Sequence, residues 1–200
     1  MRSLLIALTL AAGASPISSC DPTLLEHPLA DPSQAKPDPQ LLGVWAGYLN
    51  DTKATLHFVA RPDGQTDAVL VADSAKDGAP VLSYQGFSVT AGGHTYLNLR
   101  EKNYSDPMNN KYKLGSAYMV LRADYGADGS LNLAYLPGDA LKTTAAHKLH
   151  AKSGGKPILS DKADVVLAYL ATPEGQSGFK SLGIFHQAKI DFGSPPSGEK

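Results

Sequence analysis

From Leu41 onward, apolar residues recur at every second position in short runs, the period of a strand with one buried face. Val44 to Leu49 (VWAGYL) makes a first strand. In Ala54 to Ala60 (ATLHFVA), Leu56 and Phe58 share one face and His57 takes the other. Arg61-Pro62-Asp63-Gly64 puts Pro and Asp-Gly where a tight turn wants them. Asp67 to Ala72 is β-rich and Asp77-Gly78 closes it. Val81 to Thr90 (VLSYQGFSVT) follows, with Gly86 expected as a bulge or bend. Gly92-Gly93 turns into Thr95 to Arg100 (TYLNLR), where Leu97 and Leu99 share a face. Gly115 to Asp124 and Leu131 to Leu136 flank Ala127-Asp128-Gly129, a strong hairpin signal. Seven strands without helices between them predict an antiparallel meander, and a barrel or sandwich is the natural way to manage its edges.

After Pro137 the pattern changes. Asp139 to Ala151 and Asp161 to Ala171 are helical in composition, with Asp139 and Asp161 as N-caps, Ser160 an alternative to the latter. Gly154-Gly155 and Pro173 read as stops. Ile184 to Phe192 returns as a last strand, and residues 193–200 read as a disordered tail. The expectation is one mainly β domain over residues 41–192, a lipocalin-like barrel or half-barrel with one or two C-terminal helices near 139–151 and 161–171.

The N-terminal part reads differently. Arg2 precedes an apolar run, Leu4 to Ala12, which is shorter than the roughly 20 residues a membrane-spanning helix needs. Residues 1–19 are read as a signal peptide. Residues 20–40 hold Pro22, Pro28, Pro32, Pro37 and Pro39, which forbid a continuous helix or a central strand. They are read as an extended tether of about 60 Å reach, with packing of Leu24, Leu25 and Leu29 on the body as the alternative.

Composition narrows the classes. Hydrophobic residues make up 42% and charged residues 18%, which excludes a highly charged disordered chain. The formal net charge of −1 implies no broad basic face and no nucleic-acid partner. The only cysteine, Cys20, leaves no internal disulfide and no cysteine cluster for zinc or iron–sulfur.

That cysteine closes the run Ile17-Ser18-Ser19-Cys20, which resembles the lipobox of bacterial lipoproteins. The resemblance implies cleavage before Cys20, diacylglyceryl transfer to its thiol and acylation of the new amino group. It implies a lipid-anchored protein of the bacterial cell envelope, facing the periplasm. Asp21 resembles the enteric signal for inner-membrane retention, with the outer membrane as the alternative.

Gly43-Val44-Trp45, at the start of the first strand, resembles the Gly-x-Trp motif of lipocalins and the wider calycin group. There the Trp plugs the closed end of an up-and-down barrel and the Gly lets the N-terminal arm pass. The family also places a late Arg over that Trp; the last Arg here is Arg122, followed by Lys180 and Lys189. The whole chain is similar to uncharacterised bacterial envelope lipoproteins with an early Gly-x-Trp, a Tyr-Leu-x-Leu strand (here Tyr96 to Leu99) and a helical C-terminal part.

Candidate chemistry is sparse. His147 and His150 lie three apart on an expected helix, but Lys148 and Lys152 oppose a cation there, so no metal site is read. Asp63-Gly64, Asp77-Gly78 and Asp128-Gly129 lack the run and closing Glu of a calcium loop and read as turns. No nucleophile elbow or His-Glu-x-x-His motif occurs, so no catalytic residue is assigned and a periplasmic hydrolase ranks last. No cofactor is expected. The leading expectation is a non-enzymatic module whose lumen, lined by Leu56, Phe58, Leu97, Leu99 and Tyr135, holds a small apolar or amphipathic ligand. A packed core at those positions is the other reading. A structural or assembly lipoprotein acting on an envelope protein, through the polar loop 101–114, is the alternative function.

Overall fold

In the computed structural model of the chain, residues 22–73, 81–104, 117–138, 140, 149, 151–152 and 158–188 are described. The signal segment, Cys20, most of the helix expected over 139–151 (with His147 and His150), Asp77-Gly78, the loop beyond Tyr104 and the tail lie outside the described residues.

Eight antiparallel strands close into a barrel. They are β2 (Gly43–Leu49), β3 (Thr52–Ala60), β4 (Thr66–Ala72), β5 (Val81–Ala91), β6 (His94–Tyr104), β7 (Tyr118–Tyr125), β8 (Ser130–Tyr135) and β11 (Lys180–Gln187). Each pairs with the next in the chain, β11 pairs with both β8 and β2, and β6–β7 completes the ring. Because the strands are consecutive, short turns join most of them and no edge remains. The architecture is that of a lipocalin-like barrel.

Alternation dictates what faces inward. Trp45 pairs with Leu56, Leu56 with Leu70, Leu97 with Leu121 and Leu121 with Tyr135, so one face of every strand turns to the axis. These side chains, with Ala54, Phe58, Ala68, Leu99, Leu131, Leu133 and Phe185, form one buried cluster. Burying each large apolar side chain contributes about 1.5–3 kcal/mol. Trp45 closes the cluster at the barrel end where the N-terminal arm enters, and its Nε1–H donates to the Leu41 carbonyl at 2.8 Å. Gly43, at φ +119°, leads the arm into β2. Arg122 does not reach Trp45; its guanidinium lies on the outer face, 5.0 Å from the Phe179 ring centroid.

The Pro-rich segment is a strap rather than a free tether. Leu24, Leu25 and Leu29 are buried. Strand β1 (Leu24–Leu25) pairs antiparallel with the start of β7, occupying the edge that β8 leaves after Tyr135, and parallel with β10 (Ile158–Leu159). β10 in turn pairs with β9 (Ala151–Lys152), so Ala151 is strand and not helix. The Thr23 N–H donates to the Leu136 carbonyl at 2.7 Å. Five prolines forbid a long strand, but two residues of ladder and three buried leucines are enough to dock the arm.

The strap covers a second apolar cluster on the barrel's outer wall. Tyr96 and Val120 point outward from β6 and β7 and pack with Leu25, Leu29, Leu136, Leu159, Val166, Tyr169 and Leu170. The last three belong to α1 (Ala163–Leu170). Its N-cap is Lys162 rather than the expected Asp161 or Ser160. Pro173 does not stop structure but opens α2 (Pro173–Ser177), since a first-turn Pro lacks only an N–H that has no partner anyway. Gly86 is not a bulge: the register shift falls between Ser83 and Tyr84, and Gly86 is needed because a Cβ there would collide with the Asn98 carbonyl. Residues 101–104, expected as loop, extend β6.

Candidate functional site

The five residues expected to line a lumen do converge inside the barrel. Leu56, Phe58, Leu97, Leu99 and Tyr135 are 7%, 3%, 1%, 5% and 9% exposed and belong to the same cluster. Such values describe side chains in mutual contact, as an eight-stranded barrel just wide enough for its own side chains permits.

Open space lies on the other side of the wall. A cavity of about 240 Å³ opens on the outer face, lined by Pro32, Gln65, Gln85, Phe87, Arg100 and Tyr118. Its floor follows from the sheet register. Gln85 of β5 pairs with Arg100 of β6, and Leu99 pairs with Met119, which puts Arg100 directly across from Tyr118 of β7. The Arg100 guanidinium sits 5.9 Å from the Tyr118 ring centroid, a cation–π arrangement. Phe87 lies one pleat along the same face of β5 and is buried.

The strap supplies the opposite wall. Leu29 N–H donates to the buried Oδ1 of Asn98 at 3.0 Å. Asp31 then caps a short 3₁₀ turn, Pro32–Gln34, accepting the Ser33 N–H at 2.9 Å. That bond holds the Asp31 carboxyl below the usual carboxylate range. Beyond the turn, the Ala35 carbonyl approaches Gly64 so closely that a Cβ there would collide with it. Gly64 also has φ +81°, so two independent constraints require glycine.

Charge gathers along one rim. Asp67 takes Arg61 at 3.4 Å and Lys102 at 3.3 Å, and Arg61 also meets Asp63 at 3.3 Å. The Arg61 guanidinium holds the Asp63 carboxyl low, and Asp63 in turn pushes Arg61 up. Gln85 Nε2 donates to Gln65 Oε1 at 3.2 Å, which fixes both amides beside the cavity.

A second polar cluster lies on the outer wall near α2. His94 Nδ1 and Asp124 Oδ1 are 2.9 Å apart, Arg122 Nε donates to Asp124 Oδ2 at 2.8 Å, and Arg122 Nη1 donates to the Gln176 carbonyl at 2.9 Å. These bonds tie the β5–β6 turn, β7 and α2 together. His57 points outward from β3 and is half-buried. Among the described residues, no three His, Cys, Asp or Glu side chains gather into a metal site, and no helix is long and apolar enough to cross a membrane.

Pattern reasoning missed the outer cavity because its lining comes from five separated segments. One local signal existed: Arg100 ends a run, TYLNLR, whose other outward positions are Tyr96 and Asn98. No family model matches the chain, and neither a curated protein nor a solved structure matches it.

Proposed function

We propose that this chain is a non-enzymatic binding module of the bacterial envelope, held to a membrane by an acylated Cys20, that takes a small apolar or amphipathic ligand. The ligand site is the outer groove under the strap rather than the barrel lumen. One observation carries this reading: the cavity of about 240 Å³ has apolar walls in Pro32, Phe87 and Tyr118 and polar groups in Gln65, Gln85 and Arg100, whereas the inward side chains are packed against each other. The barrel is the rigid scaffold and the strap completes the site.

Native mass spectrometry of the full chain, released from non-ionic detergent micelles, tests the ligand. The wild type carries an additional small mass that Gln85→Trp, which fills the groove, loses. A bare mass for both contradicts the reading. Anchoring is tested separately: Cys20→Ser leaves the protein unlipidated and in the soluble fraction, and unchanged membrane partition overturns it. Asp21 favours retention in the inner membrane.

An assembly role through protein contact is the second reading. It rests on Tyr48 and Ile184, which pair across β2 and β11 on the outer wall and are 62% and 54% exposed. Crosslinking from Tyr48 in intact cells separates the two: a specific adduct that Ile184→Lys abolishes supports assembly.

A further inference from the structure

The chemistry of the groove selects a ligand class, an inference that rests on the groove being the ligand site. Asp67, Gln85 and Arg100 stand side by side on β4, β5 and β6. On the strap, the Asp31 carboxylate accepts from the Ser33 N–H of its own turn; along the row and its rim stand three cations (Arg61, Arg100, Lys102) and two carboxylates (Asp63, Asp67). Both carboxylates are engaged by Arg61, and Asp67 by Lys102 as well. Among the described residues, Arg100 enters none of these ion pairs, and its guanidinium lies over the Tyr118 ring. A guanidinium stays charged at any physiological pH and offers a planar fork of N–H donors matched to a carboxylate. Cation–π contact with Tyr118 restrains that fork over the cavity and leaves its edge open.

We infer that the groove binds a compact carboxylate, its oxygens on the Arg100 guanidinium and its apolar ring or short chain against Phe87, Tyr118 and Pro32. The cavity of about 240 Å³ sets the size. It falls below the roughly 300–1,000 Å³ of pockets for drug-sized ligands, so a single ring fits and a long acyl chain does not. The Gln65–Gln85 amide pair closes the polar end, with the Gln85 carbonyl oxygen left to accept from a hydroxyl on the ligand.

The test is calorimetric titration of the full chain in non-ionic detergent with phenylacetate and with 2-phenylethanol, each against a micelle blank. Both probes carry the same ring and only the first carries the anion. The wild type binds phenylacetate about tenfold or more tighter than the alcohol, the scale of one charge-assisted hydrogen bond. Arg100→Gln removes that preference, and Arg100→Lys restores part of it. Arg100 is exposed, so both variants fold, which the near-ultraviolet circular dichroism of Trp45 verifies. Equal binding of the two probes, unchanged by Arg100→Gln, overturns the carboxylate inference and leaves the groove as a ligand site. Phenylacetate binding that survives Arg100→Gln at full strength overturns it too. Binding of neither probe overturns both readings.

Discussion

The backbone N–H of Leu29 donates to the side-chain oxygen of Asn98, 3.0 Å away across 69 positions of sequence. Asn98 is 0% exposed, and its Nδ2 has no partner among the described residues. A buried amide with one orphaned donor is costly. What it secures is the strap, since this bond seats the chain immediately before Pro32 forms the groove wall.

Asn98→Ala removes the acceptor and strands the Leu29 N–H. The expected loss is about 1–3 kcal/mol in urea unfolding. Ligand binding in the groove weakens in step, because Pro32 loses its seat. A loss below about 0.5 kcal/mol places the strap's stability in its leucines instead.

Gly64 and Gly129 form a matched pair. Both have positive φ, +81° and +78°, but only Gly64 faces another backbone; nothing lies within 4 Å of a Cβ on Gly129. Gly129→Ala therefore costs about 1–2 kcal/mol of conformational strain alone. Gly64→Ala pays the same strain and also pushes the Ala35 carbonyl away, adding roughly 1–3 kcal/mol. Equal melting temperatures for the two variants contradict the strap contact.

Tyr125 gives the pH dependence. Its hydroxyl donates to Asp38 Oδ2 at 2.8 Å, tying the arm to the end of β7. Burial first, and the Asp38 carboxylate second, push the phenol well above its ordinary range. The folded state favours the protonated phenol. The stabilisation is therefore fully present below the unfolded phenol value of about 10 and is lost as pH rises above it. Thermal melts show stability falling from about pH 10 upward, and Tyr125→Phe flattens that fall. A variant with the same alkaline slope as the wild type would falsify the assignment.

The packed interior has its own test. Leu97 is 1% exposed in the centre of the barrel. Leu97→Ala costs about 2–5 kcal/mol, the range for removing a core leucine and leaving a cavity. If Leu97 instead faced an open lumen, the loss would be near the transfer cost of its few missing methylenes.

The barrel was legible because several strands keep one apolar face: Leu56 with Phe58, Leu97 with Leu99, Leu131 with Leu133. Period two needs no tertiary information. The turns at Asp63-Gly64, Gly92-Gly93 and Asp128-Gly129 follow from local chemistry. Outward Tyr96 and Val120 looked like routine strand residues, yet both are covered, because Leu25, Leu29 and α1 come from distant segments to meet them. The strap was ambiguous for the same reason: prolines exclude regular structure but say nothing about docking. Lys162 replaced Asp161 as N-cap because α1 starts where Val166, Tyr169 and Leu170 face the wall, and that burial outweighs a cap worth about 1 kcal/mol. The groove, joining Pro32 to Tyr118, is assembled from five separated segments, and its single local hint was Arg100 on the outward face of its strand.

The central claim is that a ligand sits on the outer wall and not within the barrel. Amide chemical-shift mapping of the full chain during titration with phenylacetate tests it most directly. The account predicts shifts confined to Gln65, Gln85, Phe87, Arg100, Tyr118 and the strap around Ser33, with the inward strand positions silent. Shifts centred on Leu56, Phe58, Leu97, Leu99 and Tyr135 would contradict it and return the site to the lumen.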